Sequence, residues 1–452
     1  MQRPLRSRWD VPQQSGEDWK GLEIARLFEI ETADRDDCLA GVVSRQGENL
    51  EREAWKVAGA MKPATGARLS FVYFDAGGGH RSATKALVAA AQEQRLRWEI
   101  ECLNLQELLD PIDLVKRVLG VRVQDVYNYM LEKGWTLGAA QLLPLLHAVI
   151  RSRHDLIVGF LNRYWKETSP DLVVSLIPNF NRELAESIRQ SCPDIPFVTV
   201  LTDLADYPPH FWIEPESEYL IVGTERAAKQ AYEMGHRADH VFLTSGMILN
   251  PAFYSVPPIG RRQERESLRL QPYRLTGLVM FGGQGSRSMV EIARRLNRLD
   301  WLQLILITGR NKDLEAELRR MKFQIPVHIE GFTTEMPRFM QMSDFFIGKP
   351  GPGSLSEALF MGLPVIVERN AWTLPQERFN ADWVTEKKLG IVVRNFREIG
   401  GAVARLRDPA VFARYYANTQ SLCNRAVYEV IAILGSILTR KEGGARPRGP
   451  CG

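Results

Sequence analysis

Between positions 344 and 380 this chain can follow only a few paths. Asp344-Phe345-Phe346-Ile347 reads as the end of an apolar strand and runs straight into Gly348-Lys349-Pro350-Gly351-Pro352-Gly353. So much glycine and proline in six residues excludes both helix and regular strand. Ser354 then reads as a helix N-cap with Glu357 in capping-box position, over a short helix at 355–361 that Gly362 ends. Pro364 and the buried run Val365-Ile366-Val367 follow. A strand, a glycine turn and a helix start together form an anion site, because the first helical N–H groups face outward and the helix dipole adds to them. Glu357, one turn in, is placed to accept hydrogen bonds from a ribose diol. Gln376-Glu377, beyond the next strand, supply an amide and a carboxylate suited to sugar hydroxyls.

The same unit occurs twice more. Leu69-Ser70-Phe71-Val72-Tyr73-Phe74 is a strand, Asp75-Ala76-Gly77-Gly78-Gly79-His80 a glycine loop, and the residues to Gln94 a helix. This is the opening unit of a doubly wound α/β domain. It matches neither the GxGxxG dinucleotide pattern nor the GxxxxGK[ST] phosphate loop. Three glycines permit close approach of a polar group. The helix dipole disfavours the imidazolium form of His80, which suits a neutral general base. Further on, the strand Thr276-Gly277-Leu278-Val279-Met280-Phe281 leads into Gly282-Gly283-Gln284-Gly285-Ser286 and a helix at about 289–299, a second anion turn fit for a diphosphate.

Taken together these motifs resemble the family-28 glycosyltransferases, the group that includes the monogalactosyldiacylglycerol synthases and MurG-related enzymes. The resemblance rests on Gly351-Pro352-Gly353-Ser354, Glu357-Ala358, Gly362-Leu363-Pro364 and Gln376-Glu377, in that order and spacing. It extends to Gly77-Gly78-Gly79-His80 with Ala83 and Ala86-Leu87, which are similar to the N-terminal signature of the diacylglycerol glycosyltransferases. The resemblance covers roughly residues 69–430. It implies that His80 activates the acceptor, that Gly77, Gly78 and Gly79 adjoin it, and that Phe332, at the turn after His328-Ile329-Glu330-Gly331, contacts uracil.

Apart from these units, residues 1–67 form a polar extension with helical patches at 19–28 and 50–61. Asp34-Arg35-Asp36 spells a DxD, but in a charged run outside any evident fold it reads as solvated surface. Residues 105–166 break the βα pattern. Leu114, Val115, Val118, Leu119, Val126 and Met130 recur at helical spacing among Lys116, Arg117 and Arg122, with Trp135 ahead of the apolar run 141–150. Core helices and a lipid-facing lobe both satisfy this pattern; the resemblance implies an acceptor and membrane surface, with Trp135 in it. Strands at 171–176 and 196–201 flank a helix at 183–190. Asp203 follows the second strand at the end where α/β folds place ligands, as a partner for His80 or for the acceptor hydroxyl. A proline-rich linker at 251–272 precedes the second domain, 273–440, and the tail 441–452 is rich in Gly, Pro and Arg.

Composition narrows the partners. With 452 residues, 45% hydrophobic and 25% charged, the chain is ordinary for a globular protein of two or three domains. A net charge of +4 does not argue for nucleic acid, although a local basic patch can meet anionic lipid. Cys38, Cys102, Cys192, Cys423 and Cys451 show no metal-ligand spacing and suit a reducing compartment. Neither an apolar leader nor a membrane-length apolar run is visible. The expectation is therefore an α/β protein of GT-B architecture, two doubly wound Rossmann-like domains facing a cleft. Its acceptor domain spans 68–250 and its UDP-sugar domain 273–440. It is expected to be cytoplasmic and peripheral at the inner face of a membrane. It would transfer a hexose from a UDP-sugar to diacylglycerol or a related lipid with inversion, using no metal or other cofactor. His80 and Asp203 would be catalytic. The donor would be held by Gly282, Gly283, Gly285, Phe332, Gly351, Gly353, Ser354, Glu357, Gln376 and Glu377. A hydrolysing UDP-sugar epimerase and a non-catalytic UDP-sugar sensor on the membrane are the alternatives.

Overall fold

The computed structural model describes residues 66–75, 78–112, 147–148, 150–207 and 210–443. The extension, the DxD and most of the 105–166 lobe lie outside these residues. In the first domain the order is β1 (Ala67–Tyr73), α1 (Gly79–Glu93), β2 (Trp98–Asn104), α2 (Leu105–Leu109), α3 (His154–Thr168), β3 (Leu172–Ser175), α4 (Asn181–Ser191), β4 (Phe197–Val200), β5 (Tyr219–Val222), α5 (Glu225–Glu233) and β6 (Val241–Leu243). The six strands are parallel in the order β2-β1-β3-β4-β5-β6. β3 and β4 are buried along their whole length, as continuous apolar runs in a parallel sheet should be.

The second domain continues with α6 (Arg261–Ser267), β7 (Leu275–Met280), α7 (Ser288–Leu296), β8 (Leu302–Ile307), α8 (Lys312–Arg320), β9 (Val327–Glu330), α9 (Met336–Gln341), β10 (Phe345–Gly348), α10 (Pro352–Phe360), β11 (Val365–Glu368), α11 (Pro375–Glu386) and β12 (Gly390–Val393). Its sheet is again parallel, in the order β12-β11-β10-β7-β8-β9. Apolar clusters fill both faces, one against α7, α8 and the C-terminal helices, the other against α9, α10 and α11. The linker expected at 251–272 contains α6, which is packed rather than free. Arg265 is buried and donates from Nη2 to both Asp344 oxygens at 3.0 Å, and from Nε to the Met342 carbonyl at 2.8 Å.

Three helices close the chain: α12 (Ile399–Leu406), α13 (Pro409–Gln420) and α14 (Ala426–Gly443). The last crosses back to the first domain. Val427, Val430, Ile431, Leu434, Ile437 and Leu438 are buried with Ala83, Leu87 and Ala90 of α1, and their 3–4 residue spacing gives one apolar stripe. Two crossings therefore join the domains, and they are tied together. Asn424 Nδ2 donates to the Met247 carbonyl at 2.9 Å, and the Ser245 N–H donates to the Glu429 carboxylate at 2.7 Å. Among the described residues no helix is long and apolar enough to cross a membrane.

Strand order positions the site. In each sheet the connections reverse direction once, between β1 and β3 in the first and between β7 and β10 in the second. Loops leaving the carboxyl ends of such neighbouring strands splay apart and leave a crevice. The three glycine turns follow β1, β7 and β10.

Candidate active site

On the first-domain side, α1 starts after Gly78, whose φ of 85° places it in the left-handed region. His80 is the second helical residue and does not cap the helix. Its Nδ1 lies 3.0 Å from Thr202 Oγ1, and its ring centroid is 5.6 Å from that of Trp212. Burial pushes the imidazole down to about 4, against a smaller opposing influence from the Leu176 backbone, so the ring is neutral at physiological pH.

Asp203 was expected as a partner of His80. Its side chain instead meets Trp212, whose Nε1 donates to Oδ2 at 2.8 Å. The histidine and the carboxylate thus both meet the indole of Trp212. The reason is local: Asp206 Oδ1 accepts from the Trp212 N–H at 2.7 Å and Asn181 Nδ2 donates to the Trp212 carbonyl at 2.9 Å, which wedges the indole into place. Burial raises the Asp203 carboxyl to about 7; the Trp212 bond opposes this, nearby Glu377 adds to it and Lys349 reduces it.

On the second-domain side, the turn after β10 corrects one expectation. The helix begins at Pro352, with Gly351 as the N-cap residue, so Ser354 is not a cap and Glu357 is not in a capping box. Proline fits the first helical position because its fixed φ is helical and it lacks an N–H that would have no partner there. Ser354 is consequently in the first turn and Glu357 in the second. Glu357 has its carboxyl raised to about 7 by burial alone. Gly351 and Gly353 line the helix start, and Gly353 is exposed.

The turn after β7 lies alongside. Gly282 and Gly285 adopt φ of 70° and 63°, and a Cβ at Gly283 would sit 3.7 Å from Arg310 Nη1. Arg310 stacks over the exposed ring of Phe332, 4.1 Å from its centroid. Near the start of α11, Glu377 is buried and accepts from Lys349 Nζ at 2.8 Å, while Gln376 is partly exposed.

Leu204, next to Asp203, is buried in the apolar cluster of the second domain, and Glu377 and Lys349 act on the Asp203 carboxyl, so the two sides lie opposite each other. The structure thus brings His80 and Asp203 of one domain opposite the glycine turns, Lys349 and Glu377 of the other. Gly77 and Trp135 lie outside the described residues. Sequence reasoning missed Lys349, Thr202 and Arg310; a lysine inside a glycine–proline turn was the one available signal. Among the described residues no group of three or more His, Cys, Asp or Glu side chains is arranged to hold a metal ion.

Residues 277–395 match the glycosyltransferase family 28 C-terminal domain. The chain is 25% identical over 420 residues to the chloroplastic monogalactosyldiacylglycerol synthase of Spinacia oleracea, covering 88% of this chain and 78% of that protein. Among solved structures the fold is similar to that of Acinetobacter baumannii MurG, with a TM-score of 0.54 at 12% identity, over 82% of this chain and 99% of the other. It is similar also to that of MnaA from S. aureus, solved with UDP, with a TM-score of 0.53 at 14% identity, over 82% and 97%. At such identities the structural likeness shows the fold, which is the two-domain GT-B arrangement.

Proposed function

We propose that this glycosyltransferase moves a hexose, galactose or glucose, from a UDP-sugar to the hydroxyl of diacylglycerol or a related lipid, with inversion at the anomeric carbon. The observation that carries the reading is the pairing of a neutral imidazole at one switch point with two glycine turns and a helix start at the other. The first is a proton acceptor, the second an anion holder, and single displacement requires one of each on opposite sides of the sugar.

In this reading the acceptor oxygen attacks the anomeric carbon from the His80 side as the bond to the diphosphate oxygen breaks. An alcohol oxygen becomes strongly acidic only as it bonds to that carbon, so even a weakly basic imidazole takes its proton in the transition state. The electron pair of the broken bond leaves on UDP, and fixed N–H groups after β7 and β10 stabilise that charge without reorganisation. Glu357 holds the ribose, Phe332 adjoins the uracil, and Gln376 with Glu377 holds the sugar. No resident cofactor takes part. The enzyme works as a peripheral protein at the cytoplasmic face of a membrane, on a lipid acceptor presented there.

Incubation with radiolabelled UDP-galactose or UDP-glucose and diacylglycerol vesicles tests this, with the product's anomeric configuration read by NMR. A β-linked glycolipid is expected from an α-linked donor. UDP release without a glycolipid sinks the lipid reading in favour of a hydrolysing epimerase, and UDP binding without turnover in favour of a sensor.

A further inference from the structure

We propose that Lys349 is the cation that meets the donor's diphosphate, and that Glu377 is the counter-ion that holds it in place. This rests on the donor reading above. Lys349 directly follows β10, at the switch point of the second sheet. Its stem runs between two glycine turns. A Cβ at Gly351 would lie 3.2 Å from Lys349 Cε, and one at Gly282 would lie 3.9 Å from it. A side chain at Gly351 would crowd the lysine and one at Gly282 would touch it; glycines leave room for a third party.

Exposure separates the two members of the pair. The Lys349 side chain is 37% exposed and that of Glu377 only 8%, so an incoming phosphate meets the ammonium, while Glu377 keeps Oε1 on Lys349 and has Oε2 left for the sugar. An ammonium has three donors, and Glu377 Oε1 takes one of them at 2.8 Å. A hard, strongly hydrated point charge suits a phosphate oxygen. Across the cleft, burial already drives Asp203 towards its neutral form, so the first domain does not compete strongly for the lysine. Backbone N–H groups then fix the geometry of the diphosphate while Lys349 supplies net charge.

The test is calorimetric and needs no turnover. UDP and uridine affinities are compared in the wild type, K349R, K349M and the double variant K349M/E377Q, which leaves no buried carboxylate unpaired. K349M and the double variant should bind UDP roughly 10–100-fold more weakly, as expected for loss of charge-assisted hydrogen bonds. Uridine affinity should be unchanged, K349R should keep most of the UDP affinity, and the salt dependence of UDP binding should flatten in both lysine-free proteins. Equal weakening of UDP and uridine would show that Lys349 only shapes the site and would overturn the proposal. So would wild-type UDP affinity in the folded double variant. A wild-type protein that binds no UDP brings down the donor reading and this proposal with it, whereas wild-type binding with unaffected variants removes only the role of Lys349.

Discussion

The glycine turns after β1 and β7 have the same local architecture, yet their glycines are there for different reasons. Gly79 has open space around it: among the described residues no atom beyond its own stretch of backbone comes within 4 Å of where a Cβ would be. Gly285 is jammed. A Cβ there would lie 2.8 Å from the Thr308 carbonyl oxygen and 2.7 Å from Leu314 Cδ2, at a φ of +63°. In the proposed reading the open first turn lets the neutral imidazole at its end meet an acceptor, and the tight second turn holds its backbone in one shape for an anion. Similar sequence signals would then serve proton chemistry in one domain and charge stabilisation in the other.

The sharpest way to break this division is His80→Ala. It should lower kcat by roughly 10²–10⁴-fold and leave the donor Kd nearly unchanged, measured by steady-state kinetics and UDP calorimetry on folded protein. Activity within a few-fold of wild type would move the base elsewhere, Asp203 first. Glu357→Ala is the reciprocal probe. It should cost roughly 1–3 kcal/mol of UDP affinity if a buried ribose hydrogen bond is lost; an unchanged Kd would take Glu357 out of the site.

A third pair of variants tests the glycines themselves. Gly285→Ala should destabilise the protein by about 1–3 kcal/mol through strain and close contact, whereas Gly79→Ala should stay within about 0.5 kcal/mol of wild type. Urea titration of both decides it, and similar losses at the two positions would erase the contrast.

The smallest effect is a pH dependence. The Glu357 carboxyl is pushed up to about 7 from an ordinary value of 4.5, so between these limits the folded chain binds the extra proton. Its contribution to stability is present below pH 4.5 and is lost as pH rises through 7. Glu357→Gln, which never ionises, should therefore gain on wild type in Tm by a few degrees over that range. A constant Tm difference would mean that the Glu357 carboxyl is not shielded from water.

Much of the fold was legible because several local signals agreed. At β1, β7 and β10, an apolar run, a glycine turn and a helix start coincide, and all three units lie at a switch point. β2 was overlooked because it is an edge strand with Glu99 and Glu101 outward, so it lacks the continuous apolar run of its neighbours. The Ser354 cap failed because Pro352 competes for the start of the same helix and fits its first position better. The partners in the site were illegible for another reason. His80 meets a threonine 122 positions away, and Lys349 a glutamate 28 positions away. Such distances are set by strand order, which local propensity does not encode.

The return of α14 bears on how the chain comes to be folded at all. The β1–α1 face, made before the second domain, is covered by side chains between Val427 and Leu438, made after it. The first domain therefore waits on the ribosome with an apolar face uncovered while the second domain, whose two apolar clusters draw almost wholly on residues before α14, can form ahead of it. Completion of the first domain therefore follows synthesis of the second, and a chain cut short before Ala426 should aggregate through its first domain, the part that was translated intact.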